Sequence, residues 1–590
     1  MQPFLFLTVF AFLFSFFYFA ISLKFANFAN LKKIMTAMLR KAFPIFCLLL
    51  FPLFLCAQRA IKPNDIVVLF ESDVHCAIDG YEKMALLAEQ TRQRTPNVLL
   101  VSCGDFSMGN TMGAVSKGYY FVRLMNALGY DYVTLGNHEF DRGIDHARCL
   151  ADSLRATMLC CNLVHLPDSL PLFAGYAVRR LGNMRVAFVG VTTPNTQYSN
   201  PSVFQDSLFR WNYSLLNDSL FRIVQRTVDQ ARSSGADKVI LLSHLGDAID
   251  QDSLSLRLIA ATQGIDVVLD GHSHSVITGR YLRNLVGDSV LLAAVGYSFQ
   301  NIGRLVLSQS GDISVQQVPT QSISPVLSQS LSSGRKARRA SSQQSPSLHQ
   351  RIVDTIAAIK AEYEAIGNRV IGETSVSLVI YDSLRYELVR KRETNMGDLC
   401  ADAFRWLGQS DVAIVTAGAL RGEFSPGPIT FDQLYTALPY DDLLVKAELS
   451  GQEILDAIEK SVMKLPRYSG SFFQVAGLSF VIDTLVPSPV VLDSDKMFLS
   501  TSGPRRVSDV RVLDRATGRY LPLDPHRRYS VVATDYFLLE RGGGVRFDSL
   551  KVLQRYQLNA FQTLEKFIAE SLHGVVPSLY ASPQNRIIYK

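Results

Sequence analysis

Short apolar runs recur through the first half of the chain, and most of them end in a polar cluster. DIVVLF, NVLLVS, YDYVTL, RVAFVGV, KVILLS, IDVVLD and SVLLAAV fall between residues 65 and 295. Each is six or seven residues long and rich in Val, Ile and Leu, the pattern of strands buried on both faces. Amphipathic stretches between them, such as residues 83–94 and 220–233, predict helices. Strands alternating with helices predict an α/β layered domain from about residue 61 to 318. Residues 320–347 then turn to Ser, Gln and basic side chains, which predicts a linker, with GRKARRA read as a solvated tether. A helical pattern resumes over 348–366. Beyond it, DVAIVTAG, LLVKAEL and YSVVATD alternate with helix candidates near 394–407 and 450–463, which predicts a second domain.

The N-terminus differs from all of this. Residues 1–57 hold two apolar runs, about 4–23 and 42–55, and no acidic residue. The first is long enough to span a bilayer, which takes about 20 apolar residues. The second follows Arg40 and Lys41 and ends in LCAQ, the form of a secretory signal. Met35 and Met38 each precede it, so 35–57 reads as the signal peptide and 1–34 as an upstream extra segment. Leu55 stands before Cys56 where a lipid-attachment site takes a small residue, which favours cleavage after Ala57 and no stable membrane span in the mature protein. The expected plan is a leader over 1–57, a first domain over 58–319, a linker over 320–347 and a second domain over 348–590. Two domains suit a chain of 590 residues, too long for one core.

Removing the leader also changes the charge. Its five lysines and arginines account for most of the formal +6, leaving +1 for the remainder, so no global basic field for a nucleic-acid polymer exists. Six cysteines remain, with no CxxC or zinc-finger spacing.

The candidate chemistry lies in the polar clusters behind the runs. Asp73 and His75 follow the first, and Asp105 follows NVLLVS. Asn137, His138 and Asp141 follow YDYVTL, His244 follows KVILLS, and His272 and His274 follow IDVVLD. In open α/β sheets, sites gather outside the carboxyl ends of strands, so these positions can converge. A lone His at one strand end is usually just a satisfied polar residue. The ordered series D-x-H, GD, GNHE, H, GHxH is far more specific. Imidazole suits borderline metals, and carboxylate or carboxamide oxygens suit harder ones. Five imidazoles, two or three carboxylates and one carboxamide exceed the needs of one tetrahedral ion and suit a pair of divalent ions such as Zn or Mn.

This series resembles the calcineurin-like metallophosphoesterase superfamily over residues 64–310. The resemblance implies a four-layer α/β/β/α sandwich in which Asp73, His75 and His274 bind one ion, Asn137, His244 and His272 bind the other, and Asp105 bridges them. A water made acidic by the ions would attack phosphorus, with His138 at the leaving oxygen and Asp141 holding His138. Further on, RKRETNMGDLCADA, TAGALRGEFSPGPITFDQLYTALPYDD and TDYFLLERGGGVRF resemble the C-terminal domain of the 5′-nucleotidase family, which includes periplasmic UDP-sugar hydrolases and animal ecto-5′-nucleotidases. That second resemblance implies a separate α+β domain. Arg390 and Arg421 would contact phosphate or ribose, and Tyr440 would stack on the base with Phe537, or Tyr536, on its other side.

Two departures stand out: Thr416 replaces a family asparagine, and Gly544 replaces an aspartate expected to contact the base. Both point to altered or relaxed base selection. The expectation is therefore an exported enzyme, periplasmic, secreted or at the cell surface, that releases phosphate from nucleoside 5′-monophosphates, with UDP-sugars or 2′,3′-cyclic nucleotides as further substrates. The alternatives are a broad-specificity phosphomonoesterase or phosphodiesterase without nucleotide preference, and a non-catalytic exported binding protein on the same scaffold.

Overall fold

In the computed structural model, residues 60–590 are described except 200, 206–209, 248–252, 325–345 and 494–495. The leader and most of the linker lie outside the described residues. The apolar runs are strands as expected, and they build two six-stranded sheets. The first runs, edge to edge, Ile313–Pro319, Asn301–Leu307, Ile66–Glu71, Val98–Ser102, Tyr132–Thr134 and Thr157–Leu159. The second runs Val276–Arg283, Ser289–Val295, Val267–Asp270, Lys238–His244, Met184–Thr192 and Tyr176–Leu181. Neighbours inside each sheet are parallel, and antiparallel strands flank them.

The sheets share one core. Phe70, Leu99 and Val101 from the first meet Phe188, Ile240, Leu242 and Leu269 from the second, and Tyr132 stacks on Phe188 with ring centroids 4.6 Å apart. Helices Leu220–Ser233 and Leu254–Ala261 cover the outer face of the second sheet. Helix Gly80–Arg92 lies on the first. With both faces covered, every residue of Ile66–Glu71 is buried, which is why the run lacks polar alternation. The arrangement is the α/β/β/α layering that the resemblance implied.

The second domain centres on a five-stranded sheet, Phe473–Ala476, Val412–Thr416, Arg528–Thr534, Leu443–Ser450 and Lys551–Asn559, against which helix Asn395–Gly408 packs. Its helix starts follow local chemistry. Thr394 Oγ1 accepts from Gly397 N at 3.2 Å, and Ser450 and Glu453 form a reciprocal capping box ahead of helix Gly451–Ser461.

The helix predicted after the linker exists as Leu348–Gly367, capped by Ser347. It buries Ile352, Ile356 and Ile359 and packs on helices Gly80–Arg92 and Tyr119–Leu128 of the first domain. Arg123–Glu362 at 2.8 Å and Lys360–Asp79 at 2.7 Å flank that contact. Tyr363 reaches across to Asp432 of the second domain, and Arg142 pairs with Asp441 at 2.8 Å. The six described cysteines are all free. Among the described residues, no helix is long and apolar enough to cross a membrane.

Candidate metal centre and adjoining cavity

The five strand ends converge as the pattern predicts. Asp73, His75 and His274 form one cluster of potential ligand atoms within 4.8 Å of one another, and Asp73, Asp105 and His244 form a second. His75 Nε2 lies 3.0 Å from His274 Nε2, and His244 Nε2 lies 3.2 Å from Asp105 Oδ2. Asn137 Oδ1 lies 2.9 Å from His272 Nδ1, and the rings of His272 and His244 sit 5.3 Å apart. Asp105 touches both sides, 3.9 Å from His75 and 3.2 Å from His244, as a shared carboxylate would.

The backbone of these turns is strained in a telling way. Asp73, His75, Asp105, His272 and His274 all have φ between +43° and +75°, a region non-glycine residues rarely occupy and which concentrates at functional sites. The turns are also pressed together. A Cβ on Gly136 would meet Asp105 Oδ1 at 2.1 Å, so only glycine lets the third strand end approach the second.

Glu139, given no role by the resemblance, holds this junction. Its buried carboxylate accepts five hydrogen bonds. Asp105 N and Gly136 N donate to one oxygen at 2.9 and 2.7 Å. Phe106 N, Ser107 N and Ser107 Oγ donate to the other at 3.0, 3.1 and 2.8 Å. Asp270 does the same on the second sheet, accepting from Ser243 Oγ at 2.7 Å, Ser255 Oγ at 2.5 Å and Leu245 N at 3.2 Å. Sequence reasoning missed both. The available signal was an acid placed beside glycine-rich turns whose backbone N–H groups had no strand partner.

Does the donor set fit a divalent metal? His244 is fully buried, yet its Nε2 makes no hydrogen bond, while its Nδ1 is engaged with Cys103 O at 2.7 Å. That nitrogen faces Asp105 Oδ2 at 3.2 Å, and in the neutral imidazole a lone pair set against a buried carboxylate is costly unless a cation lies between them. The carbonyl fixes the tautomer that aims that lone pair at Asp105, the orientation metal-binding imidazoles show. The residues present therefore fit divalent cations.

His138 lies beside this cluster, with a ring nitrogen within 4.8 Å of ligand atoms of His75 and Asp105. Its Nδ1 is 2.7 Å from Asp141 Oδ2. Burial opposes its charge, but the Asp141 hydrogen bond and the carboxylates of Asp105, Asp141 and Glu139 raise its pKa to about 10. Cations beside Asp105 would offset part of that negative field.

A cavity of about 480 Å³ opens from His138 and Asn137 into the second domain. Arg390, Arg421, Tyr440, Thr416, Tyr536, Asp442 and Glu540 are among the residues that line it. Three of the four substrate-contact candidates are therefore brought to one space with His138. Phe537 is not. It is 1% exposed and packs edge-on against Phe473 and Phe547 in the core, whereas the neighbouring Tyr536 is 38% exposed and lines the cavity. The expectation for Phe537 is corrected. In the turn Asp535–Leu538, successive side chains point in different directions, and the apolar one takes the inward position.

Two family models match this architecture: calcineurin-like phosphoesterase over residues 66–276, and the 5′-nucleotidase C-terminal domain over residues 370–551. The chain belongs to the family that joins these two domains. It is accordingly a metal-dependent phosphoester hydrolase. Among curated relatives, rat 5′-nucleotidase is 26% identical over 83% of this chain and 85% of its own length. The trifunctional nucleotide phosphoesterase protein YfkN of Bacillus subtilis is 23% identical over 75% of this chain, which spans only 31% of that protein. The crystal structure of a 5′-nucleotidase precursor from Thermus thermophilus superposes with a TM-score of 0.56 at 23% identity, covering 89% of this chain and 99% of its own. That likeness establishes the shared fold.

Proposed function

We propose that this protein hydrolyses nucleoside 5′-monophosphates to nucleoside and phosphate at a two-cation centre, and that it does so outside the cytoplasm. One observation carries the reading. A single cavity is lined both by Asn137 and His138 beside the metal cluster and by Arg390, Arg421, Tyr440 and Tyr536 of the second domain. A phosphate at the metals would thus have a positively charged and aromatic wall within reach.

Asp73, His75 and His274 would hold one divalent ion, Asn137, His244 and His272 the other, with Asp105 shared. When bound, such ions neutralise phosphate oxygens and activate a water. The chain's own residues do the rest. His138, protonated and held by Asp141, places a proton at the leaving 5′-oxygen as the P–O bond breaks. Arg390 and Arg421 offer planar donors to phosphate or ribose oxygens. Tyr440 and Tyr536 offer two rings to the base, and stacking of that kind accepts many bases. UDP-sugars, which carry a phosphoanhydride, and 2′,3′-cyclic nucleotides, which are phosphodiesters, would offer a phosphorus centre to the same activated water and remain candidate substrates. The apolar leader with its signal-like second run supports export to the periplasm, the cell surface or the medium.

Phosphate release from AMP, UMP and an aryl phosphate, with and without a chelator and alongside metal analysis of the purified protein, tests this reading. Chelator-sensitive release from the nucleotides well above the aryl ester is expected. Release from none of them would overturn it, and equal release from all three would leave a general phosphoesterase. N-terminal sequencing of the exported chain should begin just after Ala57.

A further inference from the structure

The cavity wall carries an unmatched pair of acids. Asp442 and Glu540 both line it, alongside Tyr440 and Tyr536, whose rings are 42% and 38% exposed. Among the described residues, neither carboxylate has a hydrogen-bond donor or an ion-pair partner, in contrast to the neighbouring Asp441, which takes Arg142 at 2.8 Å and Asn559 Nδ2 at 3.1 Å. Burial, then the charges of Asp535, Glu540 and Asp441, push Asp442 up to about 7. Burial and the charges of Asp442, Glu540 and Tyr440 likewise raise the Tyr536 phenol.

Position 544, where the resemblance expects an aspartate, is turned elsewhere. Gly544 has φ +72° and does not line the cavity. A Cβ there would point to Lys460 Nζ, 3.1 Å away. Gly542 does line it, and a Cβ there would strike the Tyr536 ring at 2.1 Å, so glycine is what allows that ring its place. The carboxylate presented by this segment is therefore Glu540.

We infer that Asp442 and Glu540 read the nucleobase and favour one whose edge carries amine donors, guanine above all, over uracil. This rests on the nucleotidase reading above. An ionised carboxylate only accepts hydrogen bonds, and amine donors arriving from a base favour that ionised form, drawing the raised pKa of Asp442 back down. Guanine offers an N1–H and a 2-amino group side by side, whereas adenine and cytosine pair one amino group with a ring acceptor. Uracil offers a single N–H between two carbonyls, and those carbonyls would face the acids. Sites built to bond a polar group reject analogues that lack it, because the site's own groups are then left unpaired. The base selection expected to relax with the loss of the aspartate at 544 is thus restored by two other acids.

The test is kcat/KM for GMP, IMP, UMP and 2′-deoxy-GMP, measured for the parent protein, Glu540→Gln and Asp442→Asn. GMP should exceed UMP by about tenfold or more, and IMP, which lacks only the 2-amino group, should fall between them. Each substitution should compress the GMP-to-UMP ratio to about threefold or less, mainly through KM. Equal parent values for GMP and UMP would overturn the inference while leaving the nucleotidase reading intact. So would a ratio that survives both substitutions, or variants that alter only the ribose-to-deoxyribose preference. Release from no nucleotide at all would overturn the nucleotidase reading and this inference with it.

Discussion

The metal centre and the cavity wall opposite it are built by different rules. At the centre, the potential ligands sit at or just beyond the carboxyl ends of buried strands. Those turns are locked by buried carboxylates, Glu139 with five hydrogen bonds and Asp270 with at least three. The wall is made of half-exposed side chains. Tyr440 and Tyr536 show more than a third of their surface, Arg421 is held by Tyr440 Oη, and two acids have no partner. Rigidity at the first suits chemistry that must recur in one geometry; looseness at the second suits contact with a ligand that supplies the missing partners. Substitutions at the centre should therefore act on metal content and turnover, and substitutions at the wall on KM.

The largest effects test that division directly. Removing metal with a chelator should abolish phosphate release, and adding back a divalent ion should restore it. Asn137→Ala should lower metal content as measured on the purified protein. His138→Ala should keep the metal and lower kcat by about 10²- to 10⁴-fold, the usual share of a general acid. If His138→Ala also strips metal, the imidazole is a ligand and the division of labour within GNHE is wrong.

Next comes the support beneath the centre. Glu139→Ala would leave four backbone N–H groups and a hydroxyl without their acceptor in a buried turn. Each unmatched donor costs about 1–3 kcal/mol, so the variant should melt well below the parent. Saturating metal should recover part of the loss, since a ligand that binds only the folded chain stabilises it. A Tm drop that metal leaves wholly unrelieved would mean Glu139 holds the fold but not the site.

What could be read in advance follows the same boundary. Strand ends, and the polar residues behind them, repeat with a regular spacing, so Asp73, His75, Asp105, Asn137, His244, His272 and His274 could be picked out before any contact was visible. The roles of Glu139 and Asp270 could not, because an acid satisfied by backbone N–H groups from a distant turn leaves no periodic trace. At the wall, the sequence left the second stacking ring open between two neighbours, with Phe537 put first. TDYFLLERGGG carries two adjacent aromatics, and only the packing of Phe537 against Phe473 and Phe547 decides that Tyr536 faces the cavity. Asp442 and Glu540 escaped notice because their significance lies in lacking partners, which only a folded chain reveals.

That choice gives a paired prediction of intermediate size. Tyr536→Ala should raise KM for nucleotides by about 5- to 150-fold, equivalent to about 1–3 kcal/mol of stacking, with little change in Tm. Phe537→Ala should do the reverse, destabilising by about 3–5 kcal/mol as a buried aromatic does, with KM near the parent value in the protein that remains folded. Exchange of those two phenotypes would restore Phe537 as the stacking ring.

The smallest change is the most discriminating at the wall. The Tyr440 hydroxyl accepts from Arg421 Nη2 at 2.8 Å and Nε at 3.2 Å. Tyr440→Phe keeps the ring for stacking and frees the guanidinium. A hydrogen bond of this kind contributes about 0.5–1.5 kcal/mol net, and less where both partners are half exposed. If the ring alone matters, KM should move by no more than about threefold, with kcat constant. If instead the hydroxyl is what aims Arg421 at the phosphate, kcat and kcat/KM should fall together, because a misplaced guanidinium fails most where charge accumulates on the transferring phosphoryl group. The two outcomes separate a wall that merely holds the base from one that also takes part in orienting the phosphate.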